Sequence, residues 1–417
     1  MLKGFIKNVS YLVIIQISNT LLPLIIMPYL ARIITPEQYG DIEFTRIFCY
    51  YFSIVILFGF DFTATRDISI HRDDKDQVND IISQTTYAKI ILFIICSITF
   101  FIIIFSVPSF NSIYCLLITT YLINIGYAFY PLWFFQGTEN LKLVTTLSFL
   151  IRFFIIVITM VLIRKEEDYW IFNFLQGISL ILISITCYLL LKYKYGFKFT
   201  KYNLKKVKTV LKDGMPLFLS IILVTVMTSL FFLFLKLNSD ANEMAKFSTS
   251  NKIIATIQSL LLLPFTQAFF PIITKQADEN LSLFKRNIKI VALALLIITF
   301  LTGLIIFFFG DIIIMLIFGE KYLLGFESLK ILAFLPMFAS LTNVFAYQGL
   351  LSLKKDKLFL AIHIVYAIFS VLISLYLIKN YNAYLASIIR LVIEILLFLT
   401  AMIFYFKSTG NKQAVRV

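Results

Sequence analysis

The chain has 417 residues, of which 60% are hydrophobic and 14% are charged, and its mean hydropathy is +0.91. Soluble domains are about 45–50% apolar and about 25% charged, so this composition excludes a soluble protein and indicates a polytopic membrane protein. The formal net charge of +14 does not indicate nucleic acid binding, because most basic residues flank apolar runs.

Windows of about 20 apolar residues predict twelve transmembrane helices. The first follows Lys3 and Lys7 and is too long for the core of a cleaved signal peptide, so we interpret it as an uncleaved span. The predicted spans are Asn8–Leu30, Phe44–Phe62, Tyr87–Val107, Ser112–Phe134, Leu143–Ile163, Trp170–Leu191, Met215–Leu235, Ala245–Phe270, Ile288–Phe309, Leu329–Leu351, Leu358–Ile378 and Tyr384–Phe406. The run Asp311–Phe318 is too short to span and is predicted to pack at the membrane interface.

The basic residues predict the orientation of the chain. When the N-terminus is placed inside, most of the 37 basic residues fall on one side, including Arg66, Arg72 and Lys89. The same side holds eight lysines between the sixth and seventh spans: Lys192, Lys194, Lys198, Lys201, Lys205, Lys206, Lys208 and Lys212. The positive-inside rule therefore predicts that both termini are cytoplasmic.

The lysine-rich segment also divides the chain. We predict an N-terminal six-helix bundle at 1–191, a cytoplasmic linker at 192–214 and a C-terminal six-helix bundle with a short tail at 215–417. The linker is either a hinge lying on anionic lipid or a solvated loop that enforces topology. A weak repeat supports two halves, because WFFQG (133–137) ends the fourth span and FAYQG (345–349) ends the tenth. Repeated halves with a site between them are common in secondary transporters.

Ionisable residues inside spans are costly and usually face a bundle interior or a water-filled cavity. Helical spacing puts four such residues in polar arcs. Arg46 shares an arc with Glu43, Tyr50, Ser53 and Asp61, and Arg152 shares one with Thr145, Ser148 and Thr159. Lys252 shares an arc with Thr249, Thr256, Ser259 and Gln267, and Arg390 shares one with Ser387 and Glu394. Arg152 lies roughly 13 Å into its span, near the middle of a hydrocarbon core about 30 Å thick. We therefore expect a shared wet interior to which Arg152 contributes.

The embedded charge is mostly basic, which predicts a cationic cavity for an anionic cargo. The candidate binding residues are Arg46, Arg152, Lys252, Arg390 and, at a helix end, Arg32. Three alternatives stay open. Arg46 and Lys252 could snorkel to the interface, Arg390 and Glu394 could form an internal pair, and Arg32 could mark the interface without touching cargo.

Two further sets of residues suggest moving parts. Asp61 and Glu394 are candidates for ion coupling, with protons or sodium as the coupling ion. Pro23 and Pro28 interrupt the first span, and proline kinks survive in membranes beside neighbouring helices or water, so this stretch is a candidate gate. The following TPEQYG is predicted to form a tight outer turn that leads to Arg46.

No cofactor or metal is expected from the sequence. The four cysteines (Cys49, Cys96, Cys115 and Cys187) lie in separate apolar runs without ligand spacing. His71 and His363 have no ligand or nucleophile nearby, and the chain has no P-loop, which makes an ATP-driven pump unexpected.

Several stretches carry a family resemblance. PLIIMPYLARIITPEQYGDIEF at the N-terminus resembles the signature of Wzx-type O-antigen flippases, which are polysaccharide transporters of the multidrug/oligosaccharidyl-lipid/polysaccharide exporter superfamily. WFFQGTENLKLVT, LKDGMPLFLS, FSTSNKI and FGEKYLLGFESLKIL agree with it, so the resemblance spans nearly the whole chain.

The resemblance implies two six-helix bundles around a central cavity that opens alternately to each side. It implies translocation of an undecaprenyl-diphosphate-linked oligosaccharide from the cytoplasmic to the periplasmic leaflet of the inner membrane, with proposed coupling to an ion gradient. The diphosphate would then lie among Arg46, Arg152 and Lys252. Implied partners are the lipid bilayer, an O-antigen polymerase and a chain-length regulator.

Two rival functions remain. Another exporter of the same superfamily would have the same fold with a different cargo, such as a peptidoglycan precursor, a teichoic-type chain or a drug. A membrane O-antigen polymerase or glycosyltransferase would need catalytic groups on a sizeable outer loop. The longest outer segment, Gly310–Ser328, is largely apolar, which argues against an enzyme.

Overall fold

The computed structural model describes residue 22 and residues 24–138, 140–377 and 381–414. In this part of the chain the first eight α-helices are α1 (Met27–Ile33), α2 (Pro36–Leu57), α3 (Phe60–Ile70), α4 (Lys75–Ser106), α5 (Tyr114–Phe129), α6 (Leu132–Gly137), α7 (Leu141–Leu162) and α8 (Trp170–Tyr193). Short 3₁₀ helices at Pro108–Ile113 and Glu166–Tyr169 precede α5 and α8.

The remaining helices are longer on average. They are α9 (Leu204–Asn238), α10 (Ala241–Glu279), α11 (Leu281–Ile317), α12 (Phe326–Leu332), α13 (Leu335–Thr342), α14 (Asp356–Tyr376) and α15 (Ala383–Ala414). A 3₁₀ helix at Glu320–Gly325 precedes α12, and a π-helix at Asn343–Leu351 follows α13. The described residues contain no strand, which confirms the predicted all-α class.

Most predicted spans coincide with apolar helices. Among the described residues, nine helices are long and apolar enough to cross a membrane, and a bent pair, Glu320–Leu332 and Leu335–Leu351 at 42°, makes a tenth. The predicted first span lies mostly outside the described residues. The predicted eighth span falls in α10, which is helical but does not belong to these candidates. The chain is therefore a polytopic helical membrane protein, and the count of twelve spans stays a prediction.

The described chain groups into two compact units. One comprises the described residues up to Ile34 together with those of Asp41–Thr225, and the other comprises Thr35–Gly40 together with the described residues from Val226 onward. Residues 198–203 are tied to α4, since the amide N–H groups of Thr200 and Asn203 donate to the side chains of Ser83 and Gln84. The predicted division into 1–191, 192–214 and 215–417 stays a prediction.

The predicted tight turn at TPEQYG is wrong, because this stretch begins a helix. The Thr35 hydroxyl accepts from the Gln38 amide at 3.2 Å, and the Gln38 side chain accepts from the Thr35 amide at 3.0 Å. This reciprocal pair is a capping box, with Pro36 as the first helical residue, where a missing N–H costs nothing. The sequence T-P-E-Q therefore fixes the start of α2.

Two other helix breaks have local causes. Between α2 and α3, Phe58 and Gly59 take left-handed backbone angles with φ of 45° and 75°, which the glycine adopts freely. Within α11 the backbone is non-helical at Phe309, and the helix then continues to Ile317. Two helical segments thus meet at a kink at Phe309, and the run Asp311–Phe318 follows this kink. Its predicted packing at the membrane interface stays a prediction.

Pro28 also marks the start of a helix. The chain turns at Ile26, and Pro28 occupies the first turn of α1, where its ring fits the helix without loss of a hydrogen bond. The predicted break at Pro28 is therefore present, although its role as a gate is untested. Pro23, the other candidate gate residue, lies outside the described residues.

Tight packing at Gly40 gives a testable expectation. A Cβ at this position would lie 2.6 Å from the Ala241 carbonyl oxygen and 3.1 Å from the Ala245 amide nitrogen, both backbone atoms of α10. Since backbone cannot move aside as a side chain does, Gly40→Ala should destabilise the protein by about 1–3 kcal/mol. Thermal unfolding in detergent measures this loss. Gly410→Ala is the matched control, because its Cβ meets nothing within 4 Å, and an equal effect of both changes would contradict the packing argument.

Candidate functional site

A cavity of about 400 Å³ lies inside the N-terminal unit. Its lining comes from α2, α3, α5, α7 and α8 and comprises Arg46, Ile47, Tyr50, Ser53, Leu57, Asp61, Ile123, Tyr127, Tyr130, Leu132, Arg152, Phe172, Gln176 and Leu180. The volume falls within the roughly 300–1,000 Å³ of sites that hold small ligands. The cavity therefore brings three of the predicted site residues together: Arg46, Asp61 and Arg152.

Helical spacing explains how α2 contributes to this cavity. Arg46, Tyr50 and Ser53 are separated by four and three residues, so they share one helix face. The break at Phe58 and Gly59 then starts α3, whose first turn brings Asp61 to the same cavity. The polar arc predicted for the second span is confirmed for these four residues.

A buried hydrogen-bond network holds α2 against its neighbours. The Ser53 hydroxyl donates to the Asn124 side chain of α5 at 2.7 Å. The Asn173 amide group of α8 donates to the hydroxyls of Thr45 and Thr120 at 3.1 and 3.0 Å. Because buried polar groups are costly unless paired, this network fixes α2, and with it Arg46 and Tyr50, relative to α5 and α8.

The two arginines differ in their partners. Arg46 forms an ion pair with Glu43 at 2.7 Å, and a third of its side chain is exposed while Glu43 is buried. Arg46 lines the cavity, and the alternative that it snorkels to the interface stays open. The Arg152 Nε atom is buried and has no hydrogen-bond partner, and the nearby tyrosines Tyr127 and Tyr130 interact with this guanidinium electrostatically. An anionic ligand in the cavity would supply the missing acceptor.

Lys89, which the sequence put on the cytoplasmic side at the start of the third span, also belongs to this region. Its side chain is 2% exposed, and its Nζ donates to the Tyr130 carbonyl at 3.2 Å. Asp61 interacts with it electrostatically. The helix that carries Lys89, α4, begins at Lys75, before the predicted span, and Asp74 caps it by accepting from the amides of Asp76 and Gln77. The cytoplasmic side of Lys89 stays a prediction.

The other predicted residues lie elsewhere. Arg32 is exposed in the last turn of α1. Lys252 lies on α10 in the C-terminal unit, half-buried. In the same unit, the buried Arg390 donates to the Asn251 side chain and interacts electrostatically with Glu394 one turn away. Of the predicted site residues that the structure describes, therefore, only Arg46, Asp61 and Arg152 share the cavity in the N-terminal unit.

Some cavity residues were not predicted. Tyr127 and Tyr130 line the cavity from α5 and the turn after it, and Gln176 lines it from α8. These residues carry no formal charge, so a search for embedded charges passes over them. A search for tyrosine and glutamine on the polar arcs of the fourth and sixth spans would have found them.

Comparison with known proteins decides the family. Residues 5–277 match the family described as "Polysaccharide biosynthesis protein". The chain belongs to this family. A relative from Escherichia coli (strain K12), named "Putative O-antigen transporter", is 29% identical over 371 residues, which are 88% of each chain. The predicted resemblance is thereby confirmed, and the chain is a transporter and not an enzyme.

Solved structures agree with the family at the level of the fold. An inward-facing multidrug resistance MATE family transporter of the MOP superfamily aligns with a TM-score of 0.75 at 14% identity and covers 96% of both chains. The lipid II flippase MurJ in an inward closed conformation aligns with a TM-score of 0.72 at 12% identity, over 98% of this chain and 91% of that one. This member of the polysaccharide biosynthesis family therefore has the fold of MOP-superfamily transporters.

Proposed function

We propose that this protein is a flippase for lipid-linked oligosaccharides of the O-antigen type. It moves an undecaprenyl-diphosphate-linked unit from the cytoplasmic to the periplasmic leaflet of the inner membrane by alternating access. The observation that carries the proposal is the cavity in the N-terminal unit, which is lined by the half-buried Arg152, whose buried Nε lacks an acceptor. The name of the relative supports the cargo class.

The chemistry of the cavity suits a diphosphate. Guanidinium groups bind phosphate through parallel N–H···O bonds, and they do so more favourably than ammonium groups at planar, two-oxygen sites. The Arg46 charge is already balanced by Glu43, whereas no acidic side chain is paired with Arg152 among the described residues. Arg152 is thus the expected anchor for the phosphate groups, and Arg46 the expected auxiliary.

The cavity also offers groups for sugar. Tyr50, Tyr127, Tyr130 and Gln176 line it together with the two arginines. Tyrosine and glutamine side chains donate and accept hydrogen bonds, as sugar hydroxyls require. We propose that the sugars next to the diphosphate bind this polar lining, and that the isoprenoid tail stays in the bilayer.

Asp61 is the proposed site of ion coupling. Moving an anion outward is favoured by an inside-negative potential, by about 2.3 kcal/mol per charge per 100 mV. A proton or sodium ion exchanged at a cavity carboxylate would couple the return of the empty carrier to an ion gradient. Asp61 lines the cavity and interacts electrostatically with the buried Lys89, so a change in the charge of Asp61 acts on a second buried group. Glu394 is the corresponding proposal in the C-terminal unit.

Deletion of the gene followed by analysis of lipid-linked oligosaccharides tests the proposed cargo. The expected result is accumulation of single units on the cytoplasmic face, with loss of assembled O-antigen and rescue by the intact gene. Single units accumulating on the outer face would point to a polymerase instead. Unchanged O-antigen accompanied by drug sensitivity would point to a drug exporter and would overturn the proposal.

A further inference from the structure

A second, apolar cavity lies on the outside of the N-terminal unit. This N-terminal groove has a volume of about 770 Å³ and lies between α5, α8 and residues 197–199. Its walls are aliphatic and aromatic, with Ile125, Phe129, Ile185 and Leu189 among them. Ile185 and Leu189 are each about half exposed, at 51% and 49%. Exposed apolar side chains on membrane-spanning helices face lipid tails, so the groove opens toward the bilayer.

The N-terminal groove has one basic end. Lys192 and Lys198 line it, and Lys192 lies at the end of the candidate span Glu166–Tyr193. In the part of the chain that the structure describes, neither ammonium group has an acidic side chain within ion-pair distance. Two such cations at the end of a span lie at the depth of the lipid headgroups.

The C-terminal unit repeats this arrangement. Its groove, about 500 Å³ in volume, is lined by Lys285, Ile288 and Lys289 of α11, by Phe345, and by Tyr405 and Phe406 of α15. The N-terminal groove uses the fourth and sixth predicted spans, and its lysines follow the sixth. The C-terminal groove uses the tenth and twelfth predicted spans, and its lysines come from α11, which carries the ninth. Both units thus have a groove with apolar walls and two lysines, although the lysines come from different helices in the two halves.

We propose that each groove is a binding site for an anionic diacyl phospholipid of the surrounding leaflet. The acyl chains lie along the apolar walls, and the phosphate of the headgroup contacts the lysine pair. Basic pockets between membrane helices recognise anionic headgroups in this way. A resident lipid fits better than the transported cargo, because the site is present in both units and each groove opens to the bilayer. The proposal goes beyond the flippase function and does not depend on it.

Binding of phosphatidylglycerol to the purified full-length protein tests the proposal. Native mass spectrometry in mild detergent should show retained phosphatidylglycerol, with phosphatidylcholine retained more weakly. Removing both charges with Lys192→Gln and Lys198→Gln should weaken phosphatidylglycerol binding at this groove about 30-fold, which corresponds to about 1 kcal/mol for each lysine. Binding at the C-terminal groove continues, so the number of tightly retained lipids should fall by one.

A matched control separates the groove from general surface charge. Lys205 and Lys208 are exposed in the same basic segment and do not line the groove, so Lys205→Gln with Lys208→Gln should leave binding unchanged. Leu189→Trp, which fills the apolar wall without altering charge, should weaken binding like the lysine changes. Equal losses in both lysine doubles, or equal retention of the two phospholipids, would overturn the proposal. Displacement of phosphatidylglycerol by undecaprenyl phosphate at equimolar concentration would assign the groove to the isoprenoid carrier and would overturn it as well.

Discussion

Arg152→Ala should abolish O-antigen assembly while the protein still inserts and accumulates in the membrane. The Arg152 side chain is half-buried and lines the cavity, and its buried Nε lacks a protein acceptor, so the cargo phosphate is its proposed partner. Truncating one member of a buried charge pair costs about 2–5 kcal/mol, which is a loss of about 30-fold to several thousand-fold in affinity. O-antigen ladders on gels and binding of lipid-linked oligosaccharide to the purified protein measure the two effects.

Arg164→Ala provides the matched control for this experiment. Arg164 follows the same helix as Arg152 but is exposed, and its Nε donates to the Val161 carbonyl. Its loss removes one positive charge from the same region without touching the cavity. Normal O-antigen assembly in Arg152→Ala, or an equal defect in both variants, would remove Arg152 from the site. Partial recovery of O-antigen assembly by Arg152→Lys would show that the positive charge contributes in addition to the bidentate hydrogen bonding of the guanidinium.

Asp61→Asn should lower the stability of the N-terminal unit by about 1–3 kcal/mol, because it removes the carboxylate that interacts electrostatically with the buried Lys89, whose hydrogen-bond acceptor is the Tyr130 carbonyl. The free energy of unfolding in mixed detergent micelles measures the loss. Asp67→Asn is the control on the same helix. Asp67 pairs with Arg66 in a largely exposed position, and such pairs contribute about 0–1 kcal/mol.

A double substitution distinguishes charge pairing from simple packing. Lys89→Met removes the buried ammonium and keeps a long unbranched side chain, so Asp61→Asn should cost much less stability in that background. The two changes are therefore expected to be non-additive, with a coupling of about 1–3 kcal/mol. Additive effects would show that Asp61 and Lys89 do not interact, and they would weaken the assignment of Asp61 to ion coupling.

The start of α2 shows how a familiar motif can be misread. TPEQYG resembles part of a family signature, and its position after an arginine suggested a turn between spans. In the structure the same letters form a capping box with proline at the first helical position, followed by Gly40 packed against the backbone of α10. The six residues TPEQYG therefore start a helix and pack closely against α10, and none of them lines the cavity in the N-terminal unit.

The sequence by itself determined the class of the protein and much of the cavity. Apolar windows and the absence of soluble segments follow from the cost of polar groups in lipid, and helical spacing alone puts Arg46, Tyr50 and Ser53 on one side. An embedded arginine such as Arg152 is conspicuous because its charge is expensive in hydrocarbon. These features are local and periodic, so they can be read from one chain.

Only the tertiary structure decided which of the charges meet. Lys89 is near Asp61 and Tyr130 because α4 packs beside α3 and the turn after α5, which involves residues more than 25 positions apart. The lack of a hydrogen-bond partner at the Arg152 Nε likewise depends on side-chain directions inside the cavity. The spacing of a single helix cannot show such contacts, since they arise when helices from distant parts of the chain bury their polar faces together.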